Sequence, residues 1–255
     1  MDETSKINLT SARTVGPWVA RLRMRLSHPL SPSEPQCSVK VGGRMIVIQS
    51  VDSEALHSSH WIDLTADGFV QEVEAQEWAE ALRAAFLSAN ARTSLGCEFD
   101  HDGVKIFTMA NDPSLKITMH GEGRCNTPIP LLFDAVNDAL RRPVPSPDVL
   151  SALELFSLSG VAQEPLSRTI LCLSAVELLA GPNKKIPVRK RLRSLFRKLG
   201  LTPTEESEFD AVYDLRSSVV HGEAPASKQT FIDLADRSRA ICQKVFKLAA
   251  GIPSD

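Results

Sequence analysis

The chain has 255 residues, 43% of them hydrophobic, and a formal net charge of -2, so it can bury one large core or two modest ones, and two are expected. Five scattered cysteines with no C-x-x-C pair exclude a disulfide framework and point to a reducing compartment. No run approaches the roughly 20 uninterrupted apolar residues of a membrane span, and Met1 to Thr10 lacks the basic start and apolar run of a signal peptide, so a cytoplasmic location and no membrane partner are expected.

In chain order, Cys37 to Val41 and Arg44 to Val51 are two β-branched and aliphatic runs around Gly42-Gly43, which predicts a hairpin. A third strand is expected over Trp61 to Leu64. After Asp67-Gly68, acidic Glu72 and Glu74 precede apolar residues at Ala75, Trp78, Ala79, Leu82, Ala85, Phe86 and Ala89, the spacing of an amphipathic helix. Strands are expected over Val104 to Met109 and Leu115 to Met119, separated by the turn signal Asn111-Asp112-Pro113. Leu131 to Arg142 reads as a helix, which closes an α+β domain over residues 1–142.

Three prolines in Pro143-Val144-Pro145-Ser146-Pro147 remove amide donors and disfavour helix, so residues 143–147 are expected to link two domains. Beyond them strand signals vanish. Val149 to Leu158, Leu166 to Ala180, Val188 to Leu199, Glu205 to Val220 and Lys228 to Ala249 all read as helices, with Thr204 as the expected cap of the fourth. Breaks at Gly181-Pro182, Gly200 and Gly222 and the short connections predict an all-α bundle over residues 148–250.

The fourth of these helices concentrates polar residues at its C-terminal end. At 100° per residue, Asp214, Ser217, Ser218 and His221 share one arc, whereas Arg216 points about 140° away from His221. Arginine is long and Gly222 invites the last turn to unwind, so the two groups are expected to converge on a ligand directly or across a symmetric dimer. His221 would then move protons near neutral pH and Arg216 would offer a fork matching phosphate oxygens, a pair suited to metal-independent phosphodiester cleavage. The competing structural account pairs Arg216 with Asp210, Asp214 or Glu177 and makes His221 a helix C-cap favoured by the dipole.

Asp214-Leu-Arg216-Ser-Ser-Val-Val-His221-Gly222 resembles the Arg-x4-6-His motif of HEPN domains, in particular the Apea-like group. Arg168-Thr-Ile-Leu-Cys-Leu-Ser-Ala-Val-Glu177-Leu-Leu-Ala is similar to the acidic second core helix of that family, and the resemblance covers about residues 147 to 250. It implies a homodimer through the helical domain and often endoribonuclease activity. In such a composite site Arg216 and His221 would be catalytic, and Asp214, Ser217 and Glu177 would support them. HEPN modules also serve as noncatalytic dimerisation or nucleotide- or protein-binding units, which is the alternative reading.

Lys184 to Lys198 holds eight basic residues and no acid, so Lys190, Arg193 and Arg197 are candidates for holding RNA phosphates. The same charges also suit a solvated face outside the stripe of Leu192, Leu195, Phe196 and Leu199. His57, His60, His101, His120, Cys97 and Cys125 lack the close spacings of a zinc site, and neither a phosphate-binding glycine loop nor a nucleophile elbow is present. No metal and no cofactor are therefore expected. The sequence names no pathway and leaves a toxin system with its antitoxin, defence against phage and a further protein partner all open.

Overall fold

The computed structural model describes residues 17–26, 36–50, 60–93, 97–108, 129–181, 183, 185–221 and 227–250. The expected strand at Leu115 to Met119, the turn at 111–113 and Gly222 lie outside them. Strands β1 (Trp18–Leu26), β2 (Gln36–Val41), β3 (Arg44–Ser50), β4 (His60–Phe69) and β5 (Cys97–Thr108) form one sheet of order β2-β3-β4-β1-β5, and every neighbouring pair is antiparallel. Helix α1 (Glu72–Thr93) separates β4 from β5, and α2 (Ile129–Leu140), α3 (Pro147–Val161), α4 (Pro165–Leu179), α5 (Val188–Leu199), α6 (Pro203–Val220) and α7 (Lys228–Ala249) follow. The chain is thus an α+β sheet unit followed by an all-helical region.

The expected hairpin forms as β2 and β3, with Val41 opposite Arg44 and both Gly42 (φ 57) and Gly43 (φ 84) in the left-handed region that a two-residue turn of this hand requires. A helix much later in the chain fastens that turn. The Gly42 amide donates to Asn137 Oδ1 at 2.9 Å, Asn137 Nδ2 donates to the Lys40 carbonyl at 3.3 Å, and a Cβ on Gly42 would stand 3.1 Å from Leu140 Cδ1.

Strand β1 was not among the expected elements, although its sequence alternates apolar and basic residues from Ala20 to Leu26. Leu22, Met24 and Leu26 are buried on the face that meets α1, while Arg21, Arg23 and Arg25 take the other face. The third expected strand also proves longer, because β4 continues past Leu64 to Phe69 with Gly68 at φ 76 near its end.

Pro147, expected in the linker, is the first residue of α3, a position where its missing amide costs nothing, with Ser146 as N-cap. The start of α6 also differs from expectation. Thr202 rather than Thr204 is the cap, since Pro203 takes the first helical position and Glu205 sits three residues after Thr202. Thr202 Oγ1 accepts from the Glu205 amide at 3.3 Å and Glu205 Oε2 accepts from the Thr202 amide at 2.9 Å, a reciprocal capping box. Thr202→Ala is expected to lower stability by about 1 kcal/mol, seen as a lower urea midpoint at unchanged slope.

One cluster of buried side chains runs through both parts. Leu22, Ile48 and Leu64 of the sheet meet Leu82 and Phe86 of α1, and the cluster continues through Phe133 of α2 and Leu153 and Phe156 of α3 to Cys172, Val245 and Phe246 of α4 and α7. Ring pairs tie successive layers together, Phe86 to Phe133 at 5.7 Å and Phe156 to Phe246 at 4.8 Å. Asn90 of α1 adds a buried polar bridge, donating to Cys97 Sγ of β5 at 2.7 Å and to Ser157 Oγ of α3 at 2.8 Å.

Candidate functional site

Helix α6 is anchored by Phe209 and Val212, both fully buried. Phe209 meets Phe196 of α5 edge-on, with centroids 4.8 Å apart. One turn on, Tyr213 stacks on Phe209 at 6.0 Å, and its hydroxyl donates to Glu177 Oε1 of α4 at 2.8 Å. Burial first, and then the hydrogen bond to the Glu177 carboxylate, push the Tyr213 phenol up to about 12, against the pull of Arg216 and Arg189. The phenol therefore stays a proton donor at neutral pH.

Two guanidinium groups lie against that ring. Arg216 of α6 has its central carbon 5.8 Å from the Tyr213 centroid, and Arg189 of α5 has its own at 5.6 Å. Arg189 also forms an ion pair with Asp214, and Arg193 lies 3.8 Å from Asp210. Residues four apart on α5 thus face residues four apart on α6, as helix periodicity allows. Arg216 is half-buried, and its Nε is shielded from solvent without a hydrogen-bond partner among the described residues. A buried donor left unpaired is uncommon and carries a desolvation cost.

Asp214 therefore sits with Arg189 rather than with Arg216 or His221, and Glu177 reaches Arg216 only through Tyr213. His221 is the C-cap of α6, exposed, with its amide bonded to the Ser217 carbonyl at 3.0 Å. The helix runs regularly to Val220, so Arg216 and His221 keep their separation of about 140° around the axis. Arg216 faces the Tyr213 ring while His221 stands at the helix end, one turn beyond half-buried Ser217.

On α5, Lys190 and Arg197 are exposed, whereas Arg191 turns back to the Gly181 carbonyl and braces the preceding loop. Lys190, Arg191, Ser194 and Lys198 line a cleft of about 340 Å³ whose other wall includes Leu179, Asn183 and Ile186. The basic segment is thus divided: Arg189 and Arg193 serve the α5–α6 seam, and Lys190, Arg197 and Lys198 face solvent.

Tyr213 is a residue of the candidate site that the sequence does not single out. Its signals were its position four after Phe209 and three before Arg216, and its being the single tyrosine of the chain. Tyr213→Phe is expected to cost about 1 kcal/mol, because Glu177 loses its donor. The sign of the pH effect follows from the raised phenol: its contribution is complete below the unfolded value near 10 and is lost as pH rises towards 12. Denaturation between those values should therefore be flatter with pH in the variant than in the parent.

Cys97, Cys172 and Cys242 are fully buried. Burial pushes the Cys97 thiol up to about 12 and Cys242 well above its ordinary value, while Cys172 is drawn down by hydrogen bonding with Cys242 and Ser159 and by nearby Arg239. Among the described residues no three His, Cys, Asp or Glu side chains gather as metal ligands, and no helix is long and apolar enough to cross a membrane. No family model matches the chain, and neither a curated protein nor a solved structure matches it.

Proposed function

We propose that this chain is a metal-independent endoribonuclease of the HEPN type, acting as a homodimer in which the C-terminal ends of two α6 helices build one site. The observation that carries the reading is Arg216: a guanidinium held over Tyr213, with a shielded Nε that no group among the described residues satisfies. Asp214 and Asp210, the acids nearest in sequence, face α5. An RNA phosphate offers oxygens that match the guanidinium fork of half-buried Arg216.

In the reaction the ribose 2'-oxygen forms a bond to the adjacent phosphorus as the bond to the 5'-oxygen breaks. His221 takes the proton from the 2'-hydroxyl or delivers one to the leaving 5'-oxygen, and Arg216 stabilises charge on the non-bridging oxygens. The products are a 2',3'-cyclic phosphate and a free 5'-hydroxyl. Glu177 acts through Tyr213 as a positioning residue, and Ser217 lines the same end of the helix. Lys190 and Arg197 contribute phosphate attraction, with Arg193 partly engaged by Asp210.

One observation favours the second reading, a noncatalytic HEPN dimerisation or binding module: within a single chain the regular helix keeps Arg216 and His221 apart. The test compares the parent, Arg216→Ala and His221→Ala on labelled single-stranded RNA with EDTA present, after circular dichroism shows all three folded. Cleavage that depends on both side chains supports the nuclease; no cleavage, or equal cleavage by all three, supports the binding module.

A further inference from the structure

Helix α4 ends at Leu179, and α5 begins at Val188. Gly181, at φ 82, donates its amide back to the Leu178 carbonyl at 2.9 Å, and its left-handed backbone stops the helix. Asn183 ties the connection: its Oδ1 accepts from the Lys185 amide at 3.0 Å, and its carbonyl accepts from the Ile186 amide at 3.2 Å. Arg191 of α5 donates to the Gly181 carbonyl. These bonds hold in place the walls of the cleft of about 340 Å³ that the end of α4, the connection and α5 share. A cleft fixed before binding spares its ligand the cost of ordering it.

Leu179, Ile186 and Leu195 give the cleft aliphatic walls, and Ile186 is 37% exposed. Exposed Lys190, Ser194 and Lys198 line it from one ridge of α5, four residues apart, so the two lysines stand about 12 Å apart along the axis. Among the described residues no ion pair holds either lysine, and the sequence from Leu178 to Thr204 has no acid. Asp210 and Asp214 are engaged by Arg193 and Arg189, on the side of α5 that meets α6. Two cations with an apolar hollow between them match a ligand that carries an aliphatic group between two anions. In an extended peptide, residues two and four apart share a face, so acids four apart span about 13 Å with an aliphatic side chain midway between them. A lipid carboxylate meets only one of the lysines. No aromatic ring lines the cleft, so bases find no stacking platform there.

We propose that this cleft binds an extended acidic segment of a partner protein, with an aliphatic side chain seated against Leu179, Ile186 and Leu195 and carboxylates two residues to either side meeting Lys190 and Lys198. Cation pairs that read acidic motifs work in this way. The site uses neither Arg216 nor His221, so it stands whether the helical region is a nuclease or a binding module.

The test is fluorescence anisotropy of the full chain with a labelled nonapeptide in which a central leucine has a glutamate two residues to either side and glycine or serine elsewhere, at about 50 mM salt. Control peptides replace the glutamates by glutamine, replace the leucine by serine, or move both glutamates next to the leucine. Ile186→Ser and Lys198→Ala are each expected to weaken binding of the acidic peptide about tenfold, the scale of losing one anchor, and every control peptide should bind about tenfold more weakly to the parent. Reversing both charges, Lys190→Glu with Lys198→Glu, should abolish binding of the acidic peptide and create binding of a peptide with lysines in place of the glutamates, a gain that a damaged fold cannot produce. Thermal melting checks each variant. No binding of the acidic peptide by the parent, equal binding of the glutamine or shifted peptide, or a Lys198→Ala variant that binds like its parent overturns the proposal. Displacement of the peptide by decanoate would assign the cleft to a lipid, and tighter binding of single-stranded RNA that is lost in Lys198→Ala would assign it to phosphate; either result also overturns it.

Discussion

His221→Ala is expected to lower RNA cleavage by about a thousandfold, the usual scale for removing a proton-transferring group, with no change in melting temperature. The stability half of that expectation follows from position: His221 is exposed beyond the last helical residue, and its amide bond to the Ser217 carbonyl survives the substitution. Arg216→Ala should lose a similar factor, about a hundred- to thousandfold, as when a charge-stabilising donor is removed. Its effect on stability is small in either direction, because the truncation exposes the Tyr213 ring but also removes an unpaired buried donor. Arg216→Lys restores charge without the planar fork and should recover only a minor part of the rate. Mixing the two inactive variants gives a sharper result: if the site is composite and needs one Arg216 and one His221 from different copies, the mixed dimer regains cleavage. No recovery, with dimers confirmed by sedimentation, would place both groups of each site on one chain.

Phe156→Ala is expected to destabilise the whole chain by about 4 kcal/mol, the middle of the range for truncating a fully buried phenylalanine. Phe156 has no solvent exposure, stacks with Phe246 at 4.8 Å and lies beneath the Arg239 guanidinium, 4.8 Å from its ring centroid. Its carbonyl also receives Arg239 Nη1 at 3.3 Å. Helix α3 belongs to the helical region yet packs on α1, and Asn90 joins Ser157 across that seam. The cavity is therefore expected to lower one cooperative transition that includes the sheet, rather than melt the helices while the strands persist. Calorimetry reads this directly: two resolved peaks, with only the second moved by the substitution, would show that the seam does not couple them.

The helices were legible because their signals are local. The expected spans of α5 and α7 coincide with the structure, and α6 differs only at its start, where Pro203 and Glu205 move the cap to Thr202. The sheet was less legible. The alternation of β1 runs from Ala20 to Leu26, and two of its three arginines gain acidic partners, Asp63 and Glu98, only through the pairing with β4 and β5. At the candidate site, Arg216, His221 and Glu177 could be singled out by residue type and spacing. The seam pairs Arg189–Asp214 and Arg193–Asp210 could not, because they depend on how α5 lies across α6. The same cause hid Tyr213, whose role is set by a carboxylate on another helix.

The Asn137 clamp on the β2–β3 turn bears on the order in which the chain matures during synthesis. The edge hairpin leaves the ribosome nearly a hundred residues before the side chain that fastens it, since Gly42 and Asn137 are 95 positions apart. Until α2 emerges, the turn has neither the carboxamide on its amide nor Leu140 against its first glycine. A nascent chain halted before α2 thus displays an unsecured β2 edge, ready to pair with other strands. Translation past Leu140 is the step that closes the sheet unit.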